Sequence, residues 1–145
     1  MSNNIREDCG SSNLSYAISR WDKICERYFK KSNFDIENFH GDVLYVGMGN
    51  AYGPRNQSKN VKTTTILEKY PKIIKKYNDL SQNWNVIQGC AYEYDFKDQK
   101  FDIIMLDVWA KFIYLDEYNI LYNKFKNYLK ESGRILTIKT LNFKK

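Results

Sequence analysis

Two glycines and one acid have the types and spacing of a nucleotide-binding turn. The segment VLYVGMGN, residues 43–50, is apolar up to Gly47 and places Gly49 two residues later. Because glycine lacks a side chain, a ligand can approach the main chain there and the backbone can adopt a positive φ. Glu68 lies 21 residues after Gly47, where an acid can accept hydrogen bonds from both hydroxyls of a ribose. These residues predict a site for a sugar-bearing nucleoside.

Asp107 is the candidate catalytic residue. It ends the apolar run FDIIML, and since an unpaired buried carboxylate is costly, its side chain is expected to face a cleft. A helix N-cap or loop contact is the alternative role. Trp109 is better explained by packing, and a nucleobase would stack after the third apolar segment, at Cys90 and Ala91. The candidate ligand-binding residues are Gly47, Met48, Gly49, Asn50, Glu68, Lys69, Cys90, Ala91, Asp107 and Trp109.

Apolar periodicity predicts five strands and three helices that would position these residues. The strands are expected at 42–47, 62–68, 85–89, 101–109 and 134–140. The helices are expected at 13–31, 71–80 and 115–132, and Gly133 is expected to stop the last one. Strands alternating with helices are typical of an open, mostly parallel α/β sheet with right-handed crossovers. Such sheets bind ligands beyond the carboxyl ends of their strands, where the strand order reverses. We expect one domain over 1–145, with a flexible N-terminus at 1–12 and a nucleoside-binding core at 41–140.

Composition narrows the classes of function. The chain has 145 residues, a formal net charge of +6 and three cysteines. An odd number of cysteines without a C-x-x-C pair argues against a disulfide framework or a metal site. The lysines are scattered over predicted helix faces, so a nucleic-acid partner stays open but is not favoured. Without a long apolar run or a secretory signal, a cytoplasmic protein with no membrane contact is expected.

The ordered set of motifs resembles the class I S-adenosylmethionine (SAM)-dependent methyltransferases, most closely the spermidine synthase branch. The motifs that carry the resemblance are VLYVGMGN, ILEKYPKIIKKYN, NVIQGCAYEY, KFDIIMLDVW and YLKESGRILTIKT. The resemblance implies a Rossmann-like methyltransferase fold with strand order 3-2-1-4-5, helices on both faces, and SAM as cofactor. It also implies that Gly47 and Gly49 approach the amino-acid portion of SAM and that Glu68 holds its ribose. Cys90 and Ala91 would flank the adenine, and Asp107 would face the ligand's amino group or the incoming nucleophile.

The chain also departs from that family pattern. Cys90 replaces the acid that usually accepts from the adenine amino group, and Ala110 replaces the second aspartate of aminopropyl transfer. The polar segment 50–61 is not expected to form the usual long helix, and the final two strands are expected to be absent. A nicotinamide dinucleotide is disfavoured because Tyr52 stands where a third glycine would be.

Three functions remain open from these residues. The first is a small SAM-binding transferase that moves a methyl group to an unidentified acceptor. The second is an enzyme that consumes SAM by hydrolysis or elimination, or that resembles an aminopropyltransferase. The third is a non-catalytic module that binds a nucleoside or a partner. The exposed edge of the fifth strand predicts pairing with a second copy in a homo-oligomer.

Overall fold

The computed structural model describes residues 35–49, 51–80, 83–106 and 115–137, together with the isolated helical positions 23 and 26. The predicted flexible segment 1–12 and almost all of the predicted helix 13–31 lie outside the described residues. So do three of the candidate site residues, namely Asn50, Asp107 and Trp109. Predictions that concern these positions therefore stay predictions.

The described elements alternate between strand and helix along the chain. They are β1 (Gly41–Val46), α1 (Tyr52–Asn56), β2 (Val61–Glu68), α2 (Pro71–Tyr77), β3 (Trp84–Gln88), β4 (Phe101–Leu106), α3 (Leu115–Phe125) and β5 (Leu129–Thr137). Short 3₁₀ turns lie at Ile36–Asn38, Asn78–Leu80 and Lys126–Tyr128. Helix α2 starts at Pro71, where the fixed φ of proline suits the first helical position.

All described strand pairs are parallel, and the sheet has the order β3-β2-β1-β4-β5. This order confirms the predicted topology. Strand β1 is the central strand, and the strand order reverses between β1 and β4. Parallel sheets bind ligands at such a point. Residues 43–46 of β1 and 103–106 of β4 are buried without interruption, as expected for strands covered on both faces. Helix α2 packs against β2 and β3, and α3 packs against β5.

The boundary between α3 and β5 differs from the prediction. A helix was expected to run to residue 132 and to stop at Gly133, but α3 ends at Phe125 and β5 begins at Leu129. Leu129 pairs with Phe101 and Arg134 pairs with Ile103, so residues 130–133 bulge out of the ladder. A side chain at Gly133 would meet the carbonyl oxygen of Phe101 at 2.9 Å. Gly133 is therefore required for close backbone approach inside the bulge and not as a helix stop.

The segment after the glycine turn forms only a short helix, as expected from its polar sequence. Helix α1 covers five residues, Tyr52–Asn56, and its side is packed onto β1. Strands β3 and β5 lie at the two edges of the described sheet. Pairing of β5 with a second copy stays a prediction. No helix in the described ranges is long and apolar enough to cross a membrane.

Candidate functional site

The turn after β1 requires glycine because its backbone is left-handed. Gly47 has a φ of 104° and Gly49 a φ of 53°, values that residues with a side chain rarely adopt. The N–H of Gly47 donates to the carbonyl of Leu67 at 2.8 Å, which ties the turn to β2. No atom of the described residues would come within 4 Å of a Cβ built on Gly49, so these residues leave the space beside it open. The turn thus presents bare backbone to an open space at the carboxyl end of β1.

Glu68 ends β2 and points at this turn. One carboxylate oxygen accepts the backbone N–H of Met48 at 2.7 Å, and the other accepts the N–H of Tyr70 at 2.9 Å. Bonds from N–H groups to an ionised carboxylate are stronger than neutral ones, so they fix the orientation of the side chain. The two predicted parts of the nucleoside site, the glycine turn and the acid, are therefore in direct contact.

The carboxylate of Glu68 is covered as well as fixed. Glu68 and Met48 are each 1% exposed, and Ala51 is fully buried. Ala51 also has a positive φ, of 61°, which is unfavourable for a residue with a Cβ. A ribose that reaches Glu68 therefore has to displace part of the turn or of its cover. Because the left-handed backbone conformation of Ala51 is strained, a movement of the chain at this residue would relieve conformational energy.

The end of β3 lies beside the end of β2. The nucleobase is predicted to stack directly after β3, at Cys90 and Ala91. The N–H of Gly89 donates to the backbone carbonyl of Glu68 at 3.0 Å. Cys90 and Ala91 follow directly and are half-buried. The ammonium of Lys124 donates to the carbonyl of Ala91 at 2.7 Å, and burial lowers the pKa of this lysine. Sequence reasoning missed Lys124, because its contact joins α3 to a loop 33 residues earlier.

Lys69 does not join the turn. Its side chain is exposed, and its ammonium lies 5.7 Å from the centre of the Tyr70 ring. That distance is within the range of a cation–π contact. Lys69 is thus placed on the outer surface next to Glu68, where it faces solvent and not the glycine turn.

A part-buried hydrogen-bond chain links β1, the end of α1 and β2 next to the turn, and sequence reasoning missed it. The hydroxyl of Tyr45 in β1 donates to Gln57 at 2.8 Å, and the amide of Gln57 donates to Thr64 of β2 at 2.7 Å. A Cβ on Gly53 would come within 2.5 Å of the Tyr45 ring, so this glycine lets α1 lie on the ring. A tyrosine inside an apolar strand is the signal that was present, since a buried hydroxyl needs a partner.

Nowhere in the ranges that the structure describes do three or more His, Cys, Asp or Glu side chains converge as metal ligands. The candidate site therefore consists of a backbone turn, one buried carboxylate and the start of the loop after β3.

Comparison with known proteins adds information about the fold. No protein-family model matches this sequence, and no curated protein matches it. Solved structures do match. The structure described as the DhpI-SAM-HEP complex is 15% identical with a TM-score of 0.69, covering 92% of this chain and 62% of that one. A SAM-dependent methyltransferase from Clostridium acetobutylicum ATCC 824 is 18% identical with a TM-score of 0.56, covering 82% and 49%.

A third similar structure carries a different activity in its description. It is precorrin 8W decarboxylase from Methanobacterium thermoautotrophicum, with 18% identity, a TM-score of 0.59 and coverage of 77% and 61%. This chain thus spans less than two thirds of the length of each of these three proteins. At such identities the likeness concerns architecture. With five parallel strands in the order β3-β2-β1-β4-β5, the chain has the Rossmann-like methyltransferase fold of these structural neighbours.

Proposed function

We propose that this chain binds SAM at the carboxyl ends of β1 and β2 and transfers its methyl group to an acceptor. The observation that carries the proposal is the 2.7 Å hydrogen bond from the Met48 N–H to Glu68. It places the acid against the glycine turn, beside the point where the strand order reverses. One similar structure is described as a complex that contains SAM, and another as a SAM-dependent methyltransferase.

The described residues fit the parts of SAM in a simple order along the rim. The open space beside Gly49 suits the amino-acid portion of SAM, because no side chain of the described residues obstructs it. Glu68 suits the ribose once part of its cover has moved, since a carboxylate accepts about four hydrogen bonds and two of them can then go to the sugar hydroxyls. Cys90 and Ala91, next along the rim, suit the adenine. When bound, SAM supplies a methyl group that its sulfonium already activates.

The protein itself then mainly has to align the acceptor with the methyl group of SAM. Holding an acceptor in line with an activated group removes much of the entropic barrier to transfer and needs little acid–base machinery. Asp107 remains the residue proposed to orient or deprotonate the acceptor. It lies outside the described residues, directly after β4, which is the neighbour of β1 across the point of reversal.

Titration calorimetry with SAM and with S-adenosylhomocysteine tests the binding step. We expect Glu68→Gln to weaken the binding of both by about tenfold or more, because an amide cannot accept from two ribose hydroxyls while it also faces two N–H groups. The matched control is Glu131→Gln, which removes an exposed carboxylate on β5. Absence of heat with either ligand in the unmodified protein would remove the proposed function.

Incubation with methyl-labelled SAM and a cell extract tests the transfer step. Label on any macromolecule or metabolite supports a methyltransferase. Conversion of SAM by the protein alone would instead identify a hydrolase or lyase. Transfer of an aminopropyl group would favour the spermidine synthase-like branch, which at present rests on the sequence motifs.

A non-catalytic nucleoside-binding module is the second candidate function. One observation favours it: the thiol of Cys90 stands at a position where a carboxylate would accept from adenine. Binding of SAM and S-adenosylhomocysteine with similar affinity, together with no label transfer, would support this module over the enzyme.

A further inference from the structure

The net charge of the chain is concentrated in one segment. Residues 51–78, which form α1, β2 and α2, contain seven basic residues and one acid, so they carry the whole formal net charge of +6. The other 117 residues contain 16 basic and 16 acidic residues. Lysines elsewhere are thus balanced by acids. A general bias of composition towards lysine would not separate the charges in this way.

The excess charge of this segment lies on the surface. Its one acid, Glu68, is buried, whereas Lys69, Lys72 and Lys75 are exposed around the start and along the length of α2. We call these three residues the α2 basic face. A strongly charged surface of one sign attracts partners of the opposite charge and speeds their association.

Helix stability explains only part of the α2 basic face. Lys75 lies in the last turn of α2, where the macrodipole favours a cation. Lys69 precedes the helix and Lys72 lies in its first turn, where the same macrodipole disfavours a cation. These two lysines are therefore held at the rim against the local helix electrostatics. A partner that carries negative charge would account for them.

An exposed aromatic ring lies on the same rim. Tyr92 is 45% exposed and sits in the turn after β3, the strand beside β2. The bond from the Gly89 N–H to the Glu68 carbonyl joins the ends of these two strands. The rim therefore carries cations next to Glu68 after β2 and an exposed tyrosine after β3. This combination is typical of surfaces that bind single-stranded nucleic acid.

We propose that the α2 basic face and Tyr92 bind single-stranded nucleic acid, whose phosphates contact the lysines and one of whose bases stacks on Tyr92. A single strand fits better than a duplex, because a base has to leave its own stack before it can stack on Tyr92. Nucleic acid is then the class of the methyl acceptor, a role that rests on the proposed function. The binding itself does not depend on SAM.

Fluorescence anisotropy with a short labelled single-stranded RNA, without SAM, tests the surface. For single strands, a plot of the logarithm of affinity against the logarithm of salt concentration has a slope of about −0.7 per neutralised phosphate. The affinity is measured between about 50 and 200 mM salt. We expect Lys72→Gln/Lys75→Gln to reduce this slope by about 1.4. The matched control is Lys97→Gln/Lys126→Gln, which removes two exposed lysines on other elements and should leave the slope unchanged.

A second pair of variants tests the aromatic contact. Tyr92→Ala is expected to weaken binding about tenfold, because stacking of a base on an aromatic ring is lost. The control is Tyr122→Ala on α3, whose ring is exposed to a similar extent, 46% against 45%. Equal losses in both variants would contradict a specific role for Tyr92.

Several results would overturn the proposal. They are absence of RNA binding at about 50 mM salt, equal loss in the two lysine variants, and tighter binding to duplex than to single strands. Preference for vesicles of anionic lipid would assign the face to a membrane surface instead. Calorimetry with SAM is independent of all of these, so a failure of the cofactor site and a failure of the nucleic-acid surface can be told apart.

Discussion

Each rim of the sheet carries a carboxylate that accepts backbone N–H groups, but the other contacts of these carboxylates differ. At the amino ends of β1 and β4, Asp42 and Asp102 share the ammonium of Lys130, at 2.8 and 3.0 Å. Asp102 also accepts the backbone N–H of Asp42 at 2.8 Å. At the carboxyl ends, Glu68 accepts two backbone N–H groups, one of them from the glycine turn.

The difference separates a structural contact from a candidate ligand contact. The Lys130 ammonium hydrogen-bonds to Asp42 and lowers the pKa of its carboxyl group, and the Asp42 N–H does the same for Asp102. Lys130 lies in the bulge of β5, so these contacts hold that bulge against β1 and β4. Glu68 instead fixes the shape of the turn that a ligand would meet. Changes at the amino rim should therefore reduce stability without affecting the binding of SAM.

Gly41→Ala should give the largest effect on stability. Gly41 has a φ of 72°, and a Cβ there would clash with the carboxylate of Asp102. The left-handed conformation costs about 1–2 kcal/mol, and displacing Asp102 from the Asp42 N–H adds about 1 kcal/mol. We expect the free energy of unfolding to fall by about 2–3 kcal/mol, measured by urea denaturation.

The affinity of Gly41→Ala for SAM tests whether a change at the amino rim affects binding at the carboxyl rim. Calorimetry at a temperature where Gly41→Ala is fully folded should give the same dissociation constant as the unmodified protein. A weaker affinity in the folded variant would show that the amino rim reaches the turn through β1, and the comparison would fail.

Tyr45→Phe should have a smaller effect on stability but a measurable one on binding. It removes the hydroxyl that donates to Gln57, which in turn donates to Thr64, so the hydrogen-bond chain next to the glycine turn is weakened. Loss of one such bond costs about 1 kcal/mol of stability. We expect the dissociation constant for SAM to rise about three- to fivefold in calorimetry, since part of that cost falls on the turn.

Thr63→Val is the matched control for that prediction. It removes a hydroxyl that donates to Asp42 at 2.7 Å on the amino rim and keeps a β-branched side chain. This variant should bind SAM with unchanged affinity. If both variants weaken binding equally, the loss comes from general destabilisation and Tyr45 has no positioning role.

The topology could be predicted from sequence because its signals are local. Each strand is a short apolar or β-branched run, and Gly47 and Gly49 indicate a turn directly after the first one. The acid that meets the turn, Glu68, could be found because its spacing follows from one strand–helix–strand unit. The glycine turn and Glu68 of the candidate site could therefore be predicted from the sequence alone.

The rest depends on contacts between distant parts of the chain. Leu129 continues the apolar stripe of α3 and also fits a strand, and pairing with Phe101 decides in favour of the strand. Lys130 bonds to Asp42, 88 residues away, and no local pattern marks such a pair. The cover over Glu68 was also not predictable, because burial of Met48 and Ala51 depends on how the turn packs.

The pH dependence of the stability of Lys130→Met tests the ionic contacts at the amino rim. The pKa of Asp42 and Asp102 lies below the ordinary 3.8, so the stability that these groups contribute is present above pH 3.8 and is lost as the pH falls through their folded values. The pKa of Lys130 lies above the ordinary 10.5, so its contribution is present below pH 10.5 and is lost as the pH rises further.

Lys130→Met leaves two neighbouring carboxylates without the shared ammonium. Its deficit in unfolding free energy should therefore be constant through neutral pH and shrink below pH 3.8, where protonation relieves the repulsion in the variant while the unmodified protein loses its ion pairs. Added salt should shrink the deficit as well, because all three groups reach solvent. The exposed Lys126→Met provides the reference curve, measured by urea denaturation across pH. A deficit for Lys130→Met that stays flat into acid would mean that Lys130 acts by packing its methylene chain over the bulge, and the ionic description of the amino rim would be wrong.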